Sequence, residues 1–151
     1  MRKTLLIVVF IVMILCINKK ESIKIPKESI RFRIIANSNI EEDQKIKKEI
    51  AQNVFEELTP IKNFRNIQET RDYLVEKLPT FEKIVDKTLK ENNKNTVFHI
   101  NYGKNIFPEK TYQNITYEEG EYESLVITLG DGCGENFWCV LFPPICFIEE
   151  E

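Results

Sequence analysis

Histidine is nearly missing from this 151-residue chain: His99 stands alone, beside a single Trp, two Met and five Gly. One imidazole excludes the multi-histidine metal sets. The cysteines do not replace them, because Cys133, Cys139 and Cys146 are spaced by six and seven rather than in close C-x-x-C pairs. No metal and no cofactor is expected. The few glycines form no phosphate loop or nucleophile elbow, and Gly132 and Gly134 lack the strand-then-helix setting of a dinucleotide fingerprint. A surplus of positive charge is also missing. Lys and Arg total 21 against 24 Asp and Glu, for a net charge of -3 and a pI near 5.4. With no basic stripe interleaved with aromatics, this argues against a nucleic-acid partner. No internal repeat is present.

Long apolar runs are confined to the beginning. Arg2 and Lys3 precede an uncharged apolar stretch from Leu5 to Ile17, and Asn18, Lys19 and Lys20 restore polarity. That is a basic n-region followed by an h-region of signal-peptide length, shorter than the roughly 20 residues of a comfortable spanning helix. Residues 1–18 therefore read as a signal peptide or signal anchor directing export, and membrane contact is expected through this segment only. No small-x-small triplet follows, and Ile14 and Leu15 before Cys16 are too large for a lipoprotein site, so cleavage and anchoring both stay open. Residues 19–29, polar and carrying Pro26, read as a linker. Residues 30–151 form one domain, long enough to bury about two-thirds of its unfolded surface without obligatory disulfides.

Within that domain, Ile30, Phe32 and Ile34 alternate with Arg31 and Arg33, the period of a strand with one buried and one solvated face. Asn37, Ser38 and Asn39 then offer caps to a helix from about Ile40 to Leu58. Ser38 with Glu41, or Asn39 with Glu42, has capping-box spacing, and Glu41, Glu42 and Asp43 suit the helix dipole. Ile46, Ile50, Val54 and Leu58 make its buried stripe, while the charged remainder reads as a solvated surface. Pro60 ends it. A second helical pattern starts near Asn66, is interrupted at Pro79, and resumes with Phe81, Ile84, Val85 and Leu89, as a hairpin or one kinked unit. From Thr96 the period returns to two, with Phe98, Ile100 and Tyr102 opposite Val97 and His99, and further strands are predicted near 112–117 and 122–129. The fold class is α+β, a mostly antiparallel sheet with helices packed on one face.

The densest stretch is Gly130 to Phe147, GDGCGENFWCVLFPPICF. Its alternating glycines predict a special turn. Residues 137–142 suit a strand buried on both faces, stopped by Pro143 and Pro144. Cys139 and Cys146 flank the Pro pair. A disulfide between them and a reduced pair are both compatible with the spacing, and Cys133 is a competing partner for Cys139. His99 and Cys139 also invite a cysteine-hydrolase reading if they meet across strands. A lone strand His beside a bulky-flanked Cys is more often structural, and no catalytic residue is assigned.

Two segments, RFRIIANSNIEEDQKIKKEI and GEYESLVITLGDGCGENFWCVLFPPICF, resemble the stage II sporulation protein R family. Ala36, Asn37, Ser38, Glu42, Asp43 and Gln44 match its ANS-x-x-x-EDQ helix entry. Gly120, Glu121, Tyr122 and Glu123 match GEYE. Gly132, Gly134, Asn136, Trp138, Cys139, Val140, Phe142, Pro143, Pro144 and Cys146 match its C-terminal motif. Phe137 stands where the family usually has Trp, and Cys133 is an extra cysteine. The resemblance implies a non-enzymatic sporulation signal, exported from the forespore into the space between forespore and mother-cell membranes. Its implied partner there is a membrane-embedded aspartic protease of the mother cell, which cleaves the precursor of the early mother-cell sigma factor. Of the motif residues, Asn37, Ser38, Glu42, Asp43, Gln44, Glu121, Tyr122, Gly132, Gly134, Asn136, Trp138, Pro143 and Pro144 are the partner-binding candidates. An exported cysteine-type hydrolase of cell wall or peptides is the alternative.

Overall fold

The computed structural model describes residues 23–24, 28–112 and 115–147. The apolar N-terminal run read as a signal peptide or anchor lies outside the described residues. In chain order the elements are β1 (Ile23–Lys24), β2 (Ile30–Ile35), α1 (Glu41–Leu58), a 3-10 turn (Thr59–Asn63), α2 (Ile67–Glu91), β3 (Phe98–Phe107), β4 (Lys110–Tyr112), β5 (Ile115–Tyr117), β6 (Gly120–Leu129), β7 (Asn136–Phe142) and a second 3-10 turn (Ile145–Phe147). They fall into two units. In the smaller, which includes residues 108–120, β5 pairs parallel with β1 and antiparallel with β4. The single strand expected over 112–117 is thus two short ones, and β1 lies where a linker was read.

The larger unit, residues 26–107 and 121–151, holds a four-stranded sheet in the order β3-β6-β2-β7. The sheet is mixed. β2 runs antiparallel to β7 and parallel to β6, with Phe32 opposite Leu125 and Ile34 opposite Ile127. Gly130 N–H donates to Val97 C=O at 2.7 Å while Lys104 meets Glu121 at the other end, the ordering of an antiparallel β3/β6 pair. Most pairings are antiparallel, as expected; the parallel centre was not, and it follows from connectivity. Parallel neighbours need a long crossover, and here α1 and α2 intervene between β2 and the hairpin strands, laying the helices on one face.

That face forms the core. Ile30, Phe32 and Ile34 of β2, Leu125 and Ile127 of β6, and Leu141 of β7 pack against Ile46, Ile50, Val54 and Leu58 of α1 and Leu74, Phe81, Val85 and Leu89 of α2. Each fully buried side chain of this kind contributes about 1.5–3 kcal/mol. α2 is one continuous helix with Pro79 inside it, so the hairpin reading is overturned. Pro79 lies on the exposed side, as does Val75, the residue four positions earlier whose carbonyl it leaves without a helical donor. Its start is a reciprocal cap: Asn66 accepts from Glu69 N–H at 3.0 Å, and Glu69 accepts from Arg65 N–H at 3.0 Å. Asn93, at φ 55°, takes the left-handed conformation just past its end.

Candidate functional site

Because β6 is parallel to β2 and β7 antiparallel to it, the end of β2, the end of β6 and the start of β7 lie at one end of the sheet. The sequence segment Ala36–Asn39 leaves β2 there, and the turn 130–135 crosses beside it. They are sewn together. Gly134 N–H donates to Ala36 C=O at 2.9 Å and Cys133 N–H to Asn37 C=O at 3.1 Å. Asn37 Oδ1 accepts from Asp131 N–H at 3.1 Å, and Asn39 Oδ1 from Glu135 N–H at 2.7 Å. Gly130 and Gly132 supply the positive φ values of 55° and 63° that the turn requires.

Helix α1 closes the same unit from its first turns. Asp43 accepts from Asn37 Nδ2 at 2.8 Å and Ser38 Oγ at 2.7 Å. Gln44 Nε2 donates to Ser38 C=O at 2.9 Å, and Lys47 Nζ reaches Gln44 Oε1 at 2.6 Å and Glu135 C=O at 2.9 Å. Neither expected capping box forms. α1 starts at Glu41 with no side-chain cap at its N-cap, Ile40; the Ser38 hydroxyl donates to Asp43 and accepts the Ile40 N–H at 3.3 Å instead. The side chains at 37, 38, 43 and 44 therefore act as one hydrogen-bonded knot. Glu42 lies outside it and pairs with Lys94 at 2.7 Å.

The Ser38 hydroxyl, outweighing burial and helped by Asn37 and Lys94, holds the Asp43 carboxyl below its usual range. A carboxyl depressed on folding adds stability above its unfolded pKa of about 3.9, and that stability is lost as pH falls through the lower folded value. Asp43→Ala is therefore expected to cost about 1–3 kcal/mol at pH 7, since two donors lose their acceptor. Urea unfolding at pH 7 and pH 3 should show that cost shrinking in acid. An equal cost at both would show that the carboxylate's charge is not what holds the knot.

On the sheet face turned away from the helices, Arg31 and Arg33 were expected in solvent. Arg31 is instead 1% exposed, its guanidinium 4.1 Å from the Phe107 ring centroid and 4.6 Å from that of Tyr122. Arg33 lies 4.8 Å from Phe107 and 5.3 Å from Trp138. Cation–π stacking replaces water here, and burial lowers the Arg33 pKa. Alternation alone cannot separate a solvated arginine from a stacked one, so this cluster was not legible. Tyr122, a partner-binding candidate, is 4% exposed and serves the cluster rather than the surface. Glu121 is exposed and meets Lys104 at 3.3 Å; Asn136 shares this sheet face with Trp138. Glu123 faces the helices, where Arg71 and Tyr102 bind its carboxylate. Burial pushes Glu123 up, but those two partners bring it below its usual value.

Past β7, Pro143 and Pro144 reverse the chain, and Cys146 is joined to Cys139 with an S–S distance of 2.07 Å. Val140 N–H donates to Cys146 Sγ at 2.9 Å, so the returning segment lies along β7. Cys133 is free and exposed in the turn. His99 is exposed on β3, while Cys139 is buried on β7. These strands are the two edges of the sheet, three spacings or about 14 Å apart. The hydrolase pair is thus not assembled. Among the described residues no group of three or more His, Cys, Asp or Glu could hold a metal ion, and no helix is long and apolar enough to cross a membrane.

The knot joins the two sequence segments that carry the resemblance, and comparison with known proteins agrees with it. The family profile of stage II sporulation protein R matches residues 26–151. The chain belongs to that family. A curated relative, stage II sporulation protein R of Bacillus subtilis (strain 168), is 37% identical over an alignment of 163 residues that spans 99% of this chain and 73% of the relative. No solved structure matches the chain. In this family member, Asn37, Ser38, Asp43, Gln44, Gly132 and Gly134 build the knot, Trp138 joins the arginine cluster, and Pro143, Pro144, Cys139 and Cys146 form the return along β7.

Proposed function

We propose that this protein is an exported sporulation signal that activates a membrane-embedded aspartic protease of the mother cell, leading to cleavage of the precursor of the early mother-cell sigma factor. It acts from the space between the forespore and mother-cell membranes, secreted or held by its N-terminal segment. Family membership supports the sporulation role. The observation that carries the non-enzymatic reading is the separation of the only histidine from Cys139, whose sulfur is bonded to Cys146 and cannot serve as a thiolate nucleophile.

Co-expressing the full chain, the protease and the sigma-factor precursor in a non-sporulating host tests this. Precursor cleavage is expected only when all three are present, and His99→Ala should leave it unchanged. Loss of cleavage in that variant, together with peptide hydrolysis by the purified chain, would replace the ligand reading with the hydrolase. Replacing Val8 and Ile11 by Asp should prevent export and abolish the signal between compartments.

A further inference from the structure

Between α1, β7 and the returning C-terminal segment lies an open groove of about 350 Å³, lined by Lys48, Ala51, Gln52, Phe55, Phe137 and Cys146. Its walls are aromatic. Phe55 lies 5.9 Å from Phe137 and 5.2 Å from Phe147, centroid to centroid, and all three rings are only half-buried. The volume falls within the roughly 300–1,000 Å³ of ligand pockets, but such pockets enclose their ligand and converge several polar groups on it. Here the cleft is shallow, and its polar groups are Lys48 and Gln52 at the rim. This favours an extended peptide over a small molecule.

Charge narrows the choice. On helix α1, Glu42, Glu49 and Glu57 are engaged by Lys94, Asn92 and Lys77, whereas Lys48, which lines the groove, makes no ion pair among the described residues. The one charged side chain lining the groove is therefore a cation, Lys48. Its far wall is fixed in advance, because the Cys139–Cys146 bond and the Val140-to-Cys146 hydrogen bond hold Phe147 beside Phe55. A preformed wall lowers the ordering cost of binding.

We infer that this groove docks an extended segment of the partner protein that places an apolar side chain between Phe55 and Phe137 and a carboxylate beside Lys48. The inference rests on the reading that the chain acts by binding a partner, and it names the surface and the chemistry recognised.

The test places the photo-crosslinker p-benzoylphenylalanine at Gln52 of the full chain in the three-component host, with Val75, exposed on α2, as the control position. The expected adduct forms from position 52 and not from 75, and maps to a partner segment bearing an apolar residue next to Asp or Glu. Lys48→Glu should raise the amount of chain needed for half-maximal precursor cleavage about tenfold, and Lys48→Gln by less. Efficient cleavage with no adduct from 52, equal adducts from both positions, or a Lys48→Glu variant of full potency would each overturn the groove while leaving the signalling role intact. An adduct from 52 confined to residues 148–151 of the same chain would also overturn it, since the chain's own acidic tail would then be the occupant. Absence of cleavage with the unmodified chain would instead fell the signalling reading, and the groove proposal with it.

Discussion

Gly134→Ala is expected to cost about 3 kcal/mol or more, at the upper end for overpacking, and to unlock the end of the sheet where both family segments meet. An added Cβ would collide with the Ser38 carbonyl oxygen, lie 2.7 Å from its carbon and 2.8 Å from the Ala36 Cβ. Neither neighbour can move away cheaply. Ser38 is held through its carbonyl by Gln44 and through its hydroxyl by Asp43, while the turn is tied on both sides of Gly134 by Cys133 and Glu135 N–H bonds. Gly103 supplies the control. A Cβ there has its nearest neighbour at 3.8 Å, so Gly103→Ala should be neutral or stabilise by up to about 1 kcal/mol through the unfolded chain. Urea unfolding of the two variants checks this. A loss below 1 kcal/mol for Gly134→Ala would mean that the two loops separate without consequence.

The elements that obey a simple period were legible from sequence. β2, α1 and β3 appear where Ile30, Ile46 and Phe98 set the spacing, and the Gly130–Gly134 turn appears where alternating glycines point to it. Three features were not legible, each for a physical reason. Pro79 interrupts a pattern, but whether a helix breaks depends on the environment of the carbonyl it leaves unpaired, which only the packing decides. The parallel β2/β6 pairing depends on where the chain returns after two helices, and no local pattern encodes that. Capping spacing at Ser38 competes with Asp43, a partner five residues away in the same knot; the spacing shows the donors but not which acceptor wins. The candidate site was legible as two segments of residue types, Asn37 to Gln44 and Gly130 to Cys146. Its geometry was not, because the hydrogen bonds that Asn37 and Asn39 accept from the turn span more than 90 positions of chain.

Cutting the Cys139–Cys146 bond is expected to be the other costly change. The closed loop is short, and the chain-entropy relation gives about 2.5 kcal/mol for it at 25 °C. Reductant should thus lower the stability of the unmodified protein by about that amount. Cys139→Ala should lower it similarly and leave a protein that reductant no longer affects. Cys139→Ser should be worse by about 1–3 kcal/mol, because position 139 is 1% exposed on the core side of β7 and would bury a hydroxyl. Cys146→Ala removes the bond and also the acceptor of Val140 N–H, so its cost should lie between those two. Cys133→Ser, in an exposed turn with only a long 3.6 Å contact to Asp131 C=O, should stay within about 0.5 kcal/mol. The pattern discriminates because each substitution removes a different set of interactions. Insensitivity of the unmodified protein to reductant, or a Cys133→Ser cost equal to that of Cys139→Ala, would show that the return along β7 is held by Phe147 against Phe55 and by the two prolines rather than by sulfur. Thiol labelling of the denatured, non-reduced protein supplies the chemical check: Cys133 should label while Cys139 and Cys146 stay blocked.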